Sequence, residues 1–145
     1  MRVLFLDIDG VLNRTAYRAA SSTGLRSWIE PELAANLNAV LSTTGASIVL
    51  SSDWRKGRSL DELRIELDAA GITAPLVDVT PSLGGARWQE IQAWMTAHDV
   101  PPISVAIVDD GYDMGPLAPR FVRTSPLTGL DADAARALIA LFATR

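Results

Sequence analysis

Acidic and hydroxyl side chains follow three apolar runs of the sequence at the point where each run ends. Asp7 lies near the end of the run RVLFLDI and Asp9 directly follows it, Ser51 ends ASIVLS, and Asp109 with Asp110 follows ISVAIV. Four carboxylates gathered in one crevice would repel one another, and a divalent cation would remove that cost. Oxygen ligands, without Cys or a usable His, favour Mg²⁺, which commonly also binds a substrate phosphate. The pattern therefore indicates phosphoryl transfer, in which a metal and Arg neutralise phosphate charge.

Strand–helix alternation would bring these residues together. Three strongly apolar runs predict buried strands over 2–8, 46–51 and 103–108. Two weaker runs predict further strands over 75–79 and 120–124. Helix-period patterns predict helices over 31–43, 86–98 and 131–143, and the capping-box spacing of Ser59 and Glu62 predicts another that ends at Gly71. We therefore expect a doubly wound α/β fold, with a mostly parallel sheet covered by helices on both faces. Ligands bind such sheets beyond the carboxyl ends of the strands.

The length of the chain suits one domain over 1–145, with a short insert at about 13–30. An insert of this size is too short to fold as a separate lid, since unassisted domains need roughly 40 residues. We therefore predict no large cap domain and a comparatively open site. An open site permits a large substrate, such as a nucleic-acid end, without requiring one.

The net charge, the cysteine content and the lengths of the apolar runs argue against several classes of protein. The net charge is −4 and the pI is about 4.9, whereas a protein that holds nucleic acid mainly by charge is usually basic. Cys is absent, which excludes disulfides and thiolate metal sites. No apolar run approaches the roughly 20 residues that span a bilayer, and the first apolar run is too short for a secretory signal. The expected location is the cytoplasm, with no membrane partner.

Four ordered motifs then carry a resemblance to a known family. Residues 7–13 (DIDGVLN) resemble the first motif of the HAD (haloacid dehalogenase-like) phosphohydrolases, and Ser51 after IVL resembles the second. Arg87, just inside a predicted helix, resembles the basic third motif, and Asp109-Asp110 after AIV resembles the fourth. Together with the late Thr-Gly-Leu at 128–130, the set is most similar to the small capless HAD domains associated with RNA-repair proteins.

The resemblance implies roles for the acidic residues. Asp7 would attack phosphorus and form an aspartyl-phosphate, while Asp9 would protonate the leaving oxygen and then deprotonate the attacking water. Mg²⁺ would be held by Asp7, by Asp9 through its backbone carbonyl, and by Asp109 or Asp110. Which member of the Asp109-Asp110 pair binds directly stays open.

The same resemblance implies a phosphate site. Ser51 would hydrogen-bond a phosphoryl oxygen and Arg87 would hold the phosphate, with Gly10 and Ser52 assigned to the same site. The basic third-motif residue is more often Lys in the superfamily. Lys56 is the only lysine of the chain and lies five residues after Ser51, so it is the alternative occupant of the Arg87 position.

Substrate contacts are expected around this site. Arg55 and Lys56 follow the second strand and are candidates for them. Together with them, stacking and phosphate contacts for a nucleotide are expected from the aromatic and basic residues Arg14, Tyr17, Arg18, Trp28, Trp54 and Arg58. The partner would then be a phosphorylated substrate, such as a nucleotide or a nucleic-acid end. The oligomeric state does not follow from the sequence.

The predicted function is a magnesium-dependent phosphomonoester hydrolase of nucleotide or nucleic-acid terminal phosphates. A small-metabolite phosphatase is the main alternative, because openness and a few arginines encode no particular ligand. A receiver-like phosphoacceptor also uses a doubly wound sheet with clustered Asp and Mg²⁺, but it needs a Lys at the last strand, and 120–125 contains none. A binding module with a degenerate site is a third alternative.

Overall fold

A sheet of five parallel strands forms the centre of the computed structural model, which describes residues 1–19, 24–111 and 113–143. The strands lie in the order β3-β2-β1-β4-β5, and their bounds are β1 Val3–Leu6, β2 Ser47–Leu50, β3 Leu76–Val79, β4 Val105–Asp109 and β5 Phe121–Arg123. The two strands that bear the first and last acidic motifs are thus neighbours at the centre of the sheet.

In the described part of the chain, three helices connect strands, α1 Pro31–Thr44, α2 Leu60–Ala69 and α3 Arg87–His98, and α4 Ala132–Ala143 follows β5. Pro31 begins α1, where its missing N–H costs no hydrogen bond. The predicted capping box begins α2, since Ser59 accepts from the Glu62 backbone and Glu62 accepts from the Ser59 backbone. Gly45 ends α1 in the left-handed conformation that glycine adopts without strain.

Successive strand residues point to opposite faces of the sheet, and an apolar core lies on each face. Leu4, Leu6, Ile48 and Val108 belong to the core that also contains side chains of α1, α2 and α4. The opposite core contains strand side chains together with Ile91, Trp94 and Met95 of α3, and its strand residues are Val3, Phe5, Val49, Val105 and Ile107. The sheet is therefore covered on both faces, and the predicted doubly wound α/β class without a large cap is confirmed.

The strand ends differ by a few residues from the predicted ranges. The first strand ends at Leu6 instead of residue 8, because the backbone N–H groups of Val11 and Leu12 both donate to the Ile8 carbonyl at 3.0 and 2.8 Å and turn the chain. The strand predicted over 103–108 starts only at Val105, because Pro102–Ser104 forms a 3₁₀ turn that follows Pro101.

The predicted insert at 13–30 is described for 13–19 and 24–30, where Leu25–Trp28 forms a 3₁₀ turn, and residues 20–23 lie outside the described part. Among the described residues, none of the helices has the length and apolar character that a bilayer crossing requires.

Candidate active site

The register of the sheet places three predicted site residues side by side. Phe5 pairs with Val49 on one side and Ile107 on the other, so two residues later Asp7, Ser51 and Asp109 line up across neighbouring strands. Side chains alternate between the two faces of a strand. These three side chains therefore point to the α3 face of the sheet, at the carboxyl end where β1, β2 and β4 finish.

The turn after β1 requires glycine at position 10. Gly10 has φ +79°, and a Cβ there would lie 2.3 Å from Oδ2 of Asp110. The hydroxyl of Thr124 donates to the Gly10 carbonyl at 2.8 Å, which ties the turn to the residue that follows β5. This close approach sets Asp110 beside the first motif.

A pocket of about 370 Å³ opens at this edge of the sheet, and we call it the Asp7 pocket. Six of its lining side chains are carboxylates, namely Asp7, Asp9, Asp53, Asp109, Asp110 and Asp113. Arg87 is the only basic side chain among the described residues that line it. The pocket therefore carries far more negative than positive charge.

Arg87 is the first residue of α3 and reaches back over the strand ends. Its Nη1 lies 3.0 Å from Oδ1 of Asp7 and 2.9 Å from Oδ2 of Asp109, and its Nη2 lies 3.5 Å from Oδ1 of Asp53. The side chains of Asp7 and Asp109 are almost fully buried. One guanidinium thus bridges two buried carboxylates that would otherwise face each other.

Arg87 does not fully compensate this charge. Burial, followed by the charge of Asp109, raises the pKa of Asp7 to about 8 although Arg87 acts in the opposite direction. Burial and Asp109 also raise the pKa of Asp110. These shifts mean that ionising the acidic cluster is costly without a further cation.

The donor set fits a hard divalent cation. Carboxylate oxygens of Asp7, Asp109 and Asp110 all lie within 4.8 Å of one another. Oxygen ligands of this kind suit Mg²⁺, whose charge would offset the mutual repulsion of these carboxylates. The carboxylate of Asp9 is not in this group, and its predicted role as a ligand through the backbone stays a prediction.

The two serines after β2 are placed differently. Ser52 lines the Asp7 pocket, and its Oγ accepts from the Trp54 backbone N–H at 3.2 Å, so it caps a 3₁₀ turn. Ser51 is fully buried, and its Oγ has no hydrogen-bond partner among the described residues. A buried hydroxyl without a partner is energetically costly. Of these two serines, Ser51 is the one whose hydroxyl could still form a hydrogen bond.

Arg55 and Lys56 do not line the Asp7 pocket. Arg55 is buried and donates to the backbone carbonyls of residues 51, 52, 80 and 81 and to Oε1 of Glu90. Lys56 is exposed, and its Nζ lies 3.3 Å from Oδ1 of Asp53. Of the two candidates for the basic phosphate-site residue, it is Arg87 that contacts Asp7.

Residues of the insert form a second pocket of about 300 Å³, which shares Asp9 and Asp110 with the Asp7 pocket. It is lined in part by the predicted nucleotide contacts Arg14, Tyr17, Arg18 and Trp28. Arg14 already pairs with Glu30 and Glu32, at 3.2 and 2.6 Å. The aromatic residues therefore lie beside the acidic site, whereas the Arg14 charge is largely neutralised.

Sequence reasoning missed several contacts of the site. Thr124 holds the Gly10 turn, Asp53 approaches Arg87, and Trp54 donates its indole N–H to Asp9. No motif pointed to Thr124, because its contact spans 114 positions. The sequence predicts only a stacking role for Trp54 and no role for Asp53, although both directly follow Ser51-Ser52.

Comparison with known protein families identifies a relationship over most of the chain. Residues 3–135 match the sequence model of a family described as the HAD domain in Swiss Army Knife RNA repair proteins. No curated protein sequence matches the chain. The matched residues include both Asp7 and Asp109 and all five strands.

Proposed function

This chain belongs to the family of HAD domains in Swiss Army Knife RNA repair proteins, and from that premise we propose that it is a magnesium-dependent phosphomonoester hydrolase. The family points to a phosphohydrolase type of activity related to RNA repair. The observation that carries the proposal is the buried Asp7 carboxylate, which shares one sheet edge with Asp109 and Asp110 and with the Arg87 guanidinium.

In the proposed reaction, Asp7 is the nucleophile and Asp9 is the general acid and base. An oxygen of Asp7 attacks phosphorus while the bond from phosphorus to the leaving oxygen breaks, and Asp9 gives its proton to that oxygen. Asp9 then takes a proton from a water that attacks the phosphorus, which releases phosphate and restores Asp7. Burial supports Asp7 as the nucleophile, whereas the exposed Asp9 is suited to exchange protons with substrate and water.

Asp7, Asp109 and Asp110 would hold the metal, because their oxygens already lie together. When bound, Mg²⁺ would favour the ionised form of Asp7 and offset charge on the phosphoryl oxygens. Arg87 would contribute a fixed positive charge at the same place, and its contact with both Asp7 and Asp109 supports this assignment.

Ser51 and Arg87 are the proposed phosphate contacts. The buried Ser51 hydroxyl has no partner among the described residues, and a phosphoryl oxygen would supply one. Ser52 and Gly10 would border the phosphate, and their assignment rests on position: Ser52 lines the Asp7 pocket and Gly10 lines the second pocket.

We propose a nucleotide or nucleic-acid terminal phosphate as the substrate. The description of the matched family supports a nucleic-acid substrate, and the second pocket offers Tyr17 and Trp28 for stacking beside Asp9. The excess of acidic side chains around the Asp7 pocket makes an added cation necessary for an anionic substrate to approach.

A substrate panel tests the proposal. Phosphate release is measured for 3′- and 5′-phosphorylated oligonucleotides, mononucleotides and sugar phosphates, with and without Mg²⁺. We expect Mg²⁺-dependent multiple turnover with a preference for an oligonucleotide end. Preference for a sugar phosphate would instead identify a small-metabolite phosphatase.

Two further outcomes would contradict hydrolysis. A long-lived phosphoprotein without multiple turnover would favour a receiver-like phosphoacceptor. No turnover of any substrate, despite tight Mg²⁺ binding, would favour a binding module with a degenerate site.

A further inference from the structure

The carboxylate of Asp9 is held by two side-chain donors. Nδ2 of Asn13 donates to Oδ1 at 3.0 Å, and Nε1 of Trp54 donates to Oδ2 at 3.2 Å. Asn13 belongs to the same turn as Asp9, whereas Trp54 comes from the segment after β2, 45 positions away. An otherwise exposed carboxylate thus has a fixed orientation that depends on a second element of the fold.

Trp54 is itself fixed by its surroundings. Its backbone N–H donates to Oγ of Ser52, and its ring packs against the core shared by α1, α2 and α4. The Arg58 guanidinium lies 4.7 Å from the centre of the ring and donates to the Trp54 carbonyl at 3.0 Å. A ring held on these sides presents its N–H in one direction, which is toward Asp9.

We propose that Trp54 is a positioning residue for proton transfer by Asp9, through the hydrogen bond from its indole N–H to Oδ2. This inference rests on the proposed hydrolase function. When Asp9 gives its proton to the leaving oxygen, the O–H bond of the carboxyl breaks, the phosphorus–oxygen bond breaks, and a carboxylate remains. A hydrogen bond to an ionised acceptor is roughly twice as strong as one to a neutral acceptor. Trp54 therefore stabilises Asp9 most as the proton departs.

The leaving group provides a readout that a general structural role would not affect. An alkoxide is a poor leaving group and needs the proton from Asp9, whereas a nitrophenolate departs without it. Loss of the indole donor should consequently slow alkyl phosphates and spare activated aryl phosphates. Damage to the phosphate site or to the metal site would slow both classes alike.

The experiment compares Trp54→Phe with Trp94→Phe, a matched change elsewhere in the fold. Nε1 of Trp94 donates to Oδ2 of Asp78 at 2.8 Å, so this control also removes an indole donor from an aspartate. Under Mg²⁺, kcat/KM, which reports the steps up to departure of the leaving group, is measured for an alkyl phosphate and for p-nitrophenyl phosphate. We expect Trp54→Phe to lose about tenfold on the alkyl substrate and less than about twofold on the aryl substrate. Trp94→Phe should change their ratio by less than about twofold.

Equal losses on both substrates in Trp54→Phe would overturn the positioning role while leaving the hydrolase function intact. Absence of turnover by the unmodified chain on either substrate would overturn the hydrolase function, and this inference with it.

A second measurement does not depend on the folding of Trp54→Phe. In ¹H–¹⁵N spectra, the indole resonance of Trp54 should shift on Asp9→Ala, while that of Trp94 should stay in place. An unmoved Trp54 resonance would overturn the contact on which the proposal depends.

Discussion

Two arginines of this chain meet buried carboxylates in opposite ways. In what we call the Arg55 cluster, the five N–H groups of Arg55 have five acceptors, four backbone carbonyls and Glu90. The other oxygen of Glu90 accepts from the Leu83 backbone at 2.8 Å. In the Asp7 pocket, Arg87 faces three carboxylates, and the pKa of Asp7 remains raised to about 8.

The difference separates an ion pair whose partners are fully satisfied from one whose carboxylates still lack positive charge. Arg55 and Glu90 satisfy each other and fasten the loops after β2 and β3 to α3, so nothing is left for a ligand to bind. The Asp7 pocket has too little positive charge. Ser51, which precedes the pocket-lining Ser52, has a buried hydroxyl without a partner among the described residues. Unsatisfied groups of this kind persist where a ligand completes them.

The largest expected effect is on activity in the Asp7 pocket. Asp7→Asn should lower kcat by at least about 10⁴-fold, because the amide cannot act as the phosphorus acceptor. The measurement is phosphate release under Mg²⁺ from the best substrate of the panel. Asp61→Asn makes the same change on the exposed side of α2 and should leave kcat unchanged. Normal turnover by Asp7→Asn would remove the assigned nucleophile.

The Arg55 cluster should show the largest effect on stability. Arg55→Met leaves Glu90 buried without its cation and should lower the free energy of unfolding by about 3–5 kcal/mol, as measured by urea denaturation. Arg87→Met should cost less than about 1 kcal/mol, because Asp7 can take up a proton at neutral pH. Equal losses of stability in the two variants would erase the distinction between the regions.

The buried hydroxyls of Ser51 and Thr80 allow a direct comparison of the Asp7 pocket with the Arg55 cluster. Ser51→Ala should lower kcat/KM by about 100-fold through loss of a phosphate donor, without lowering the free energy of unfolding. Thr80 follows β3, its carbonyl belongs to the Arg55 cluster, and its Oγ1 also has no partner among the described residues. Thr80→Val should change neither quantity by much. A kinetic loss in Thr80→Val as large as that in Ser51→Ala would show that these changes act through packing.

Added metal should stabilise only through the Asp7 pocket. A ligand present at 100 times its Kd stabilises the folded state by about 2.7 kcal/mol, so saturating Mg²⁺ should raise the unfolding temperature. Asp109→Asn should abolish this increase, whereas Asp61→Asn should retain it. An increase of the same size in Asp109→Asn would place the cation elsewhere.

The smallest expected effect is a dependence of stability on pH. Between about pH 4 and pH 8, Asp7 holds a proton in the folded chain but has lost it in the unfolded chain, because its pKa is raised in the folded chain. The metal-free chain should therefore lose stability as pH rises through this range. Asp7→Asn should reduce that slope and be at least about 1 kcal/mol more stable than the unmodified chain at pH 8. An unchanged slope in Asp7→Asn would assign the effect to other groups.

The fold followed from the sequence because its signals are local. The apolar runs at 2–8, 46–51 and 103–108 predicted the central strands, and the Ser59–Glu62 spacing predicted the start of α2, where both capping bonds are present. Strand lengths were overestimated where a turn takes over early, as at Ile8, because an apolar side chain is compatible with either conformation.

The site was predictable only where strand ends alone determine it. Asp7 follows β1 and Asp109 ends the neighbouring parallel strand β4, so their proximity follows from the alternation of elements. The destination of Arg55 was not predictable, since its five acceptors come from two loops and a helix whose relative placement no local pattern encodes. The contact of Trp54 with Asp9 likewise depends on tertiary packing.

The central claim is that Asp7 accepts the phosphoryl group, and trapping the intermediate tests it most directly. Asp9→Asn is mixed with p-nitrophenyl phosphate and Mg²⁺, quenched in acid and digested, and the peptides are mapped by mass spectrometry. Since this variant lacks the base for the second step, one phosphoryl group should remain on Asp7. Nitrophenol release without any phosphorylated Asp7 would contradict the account.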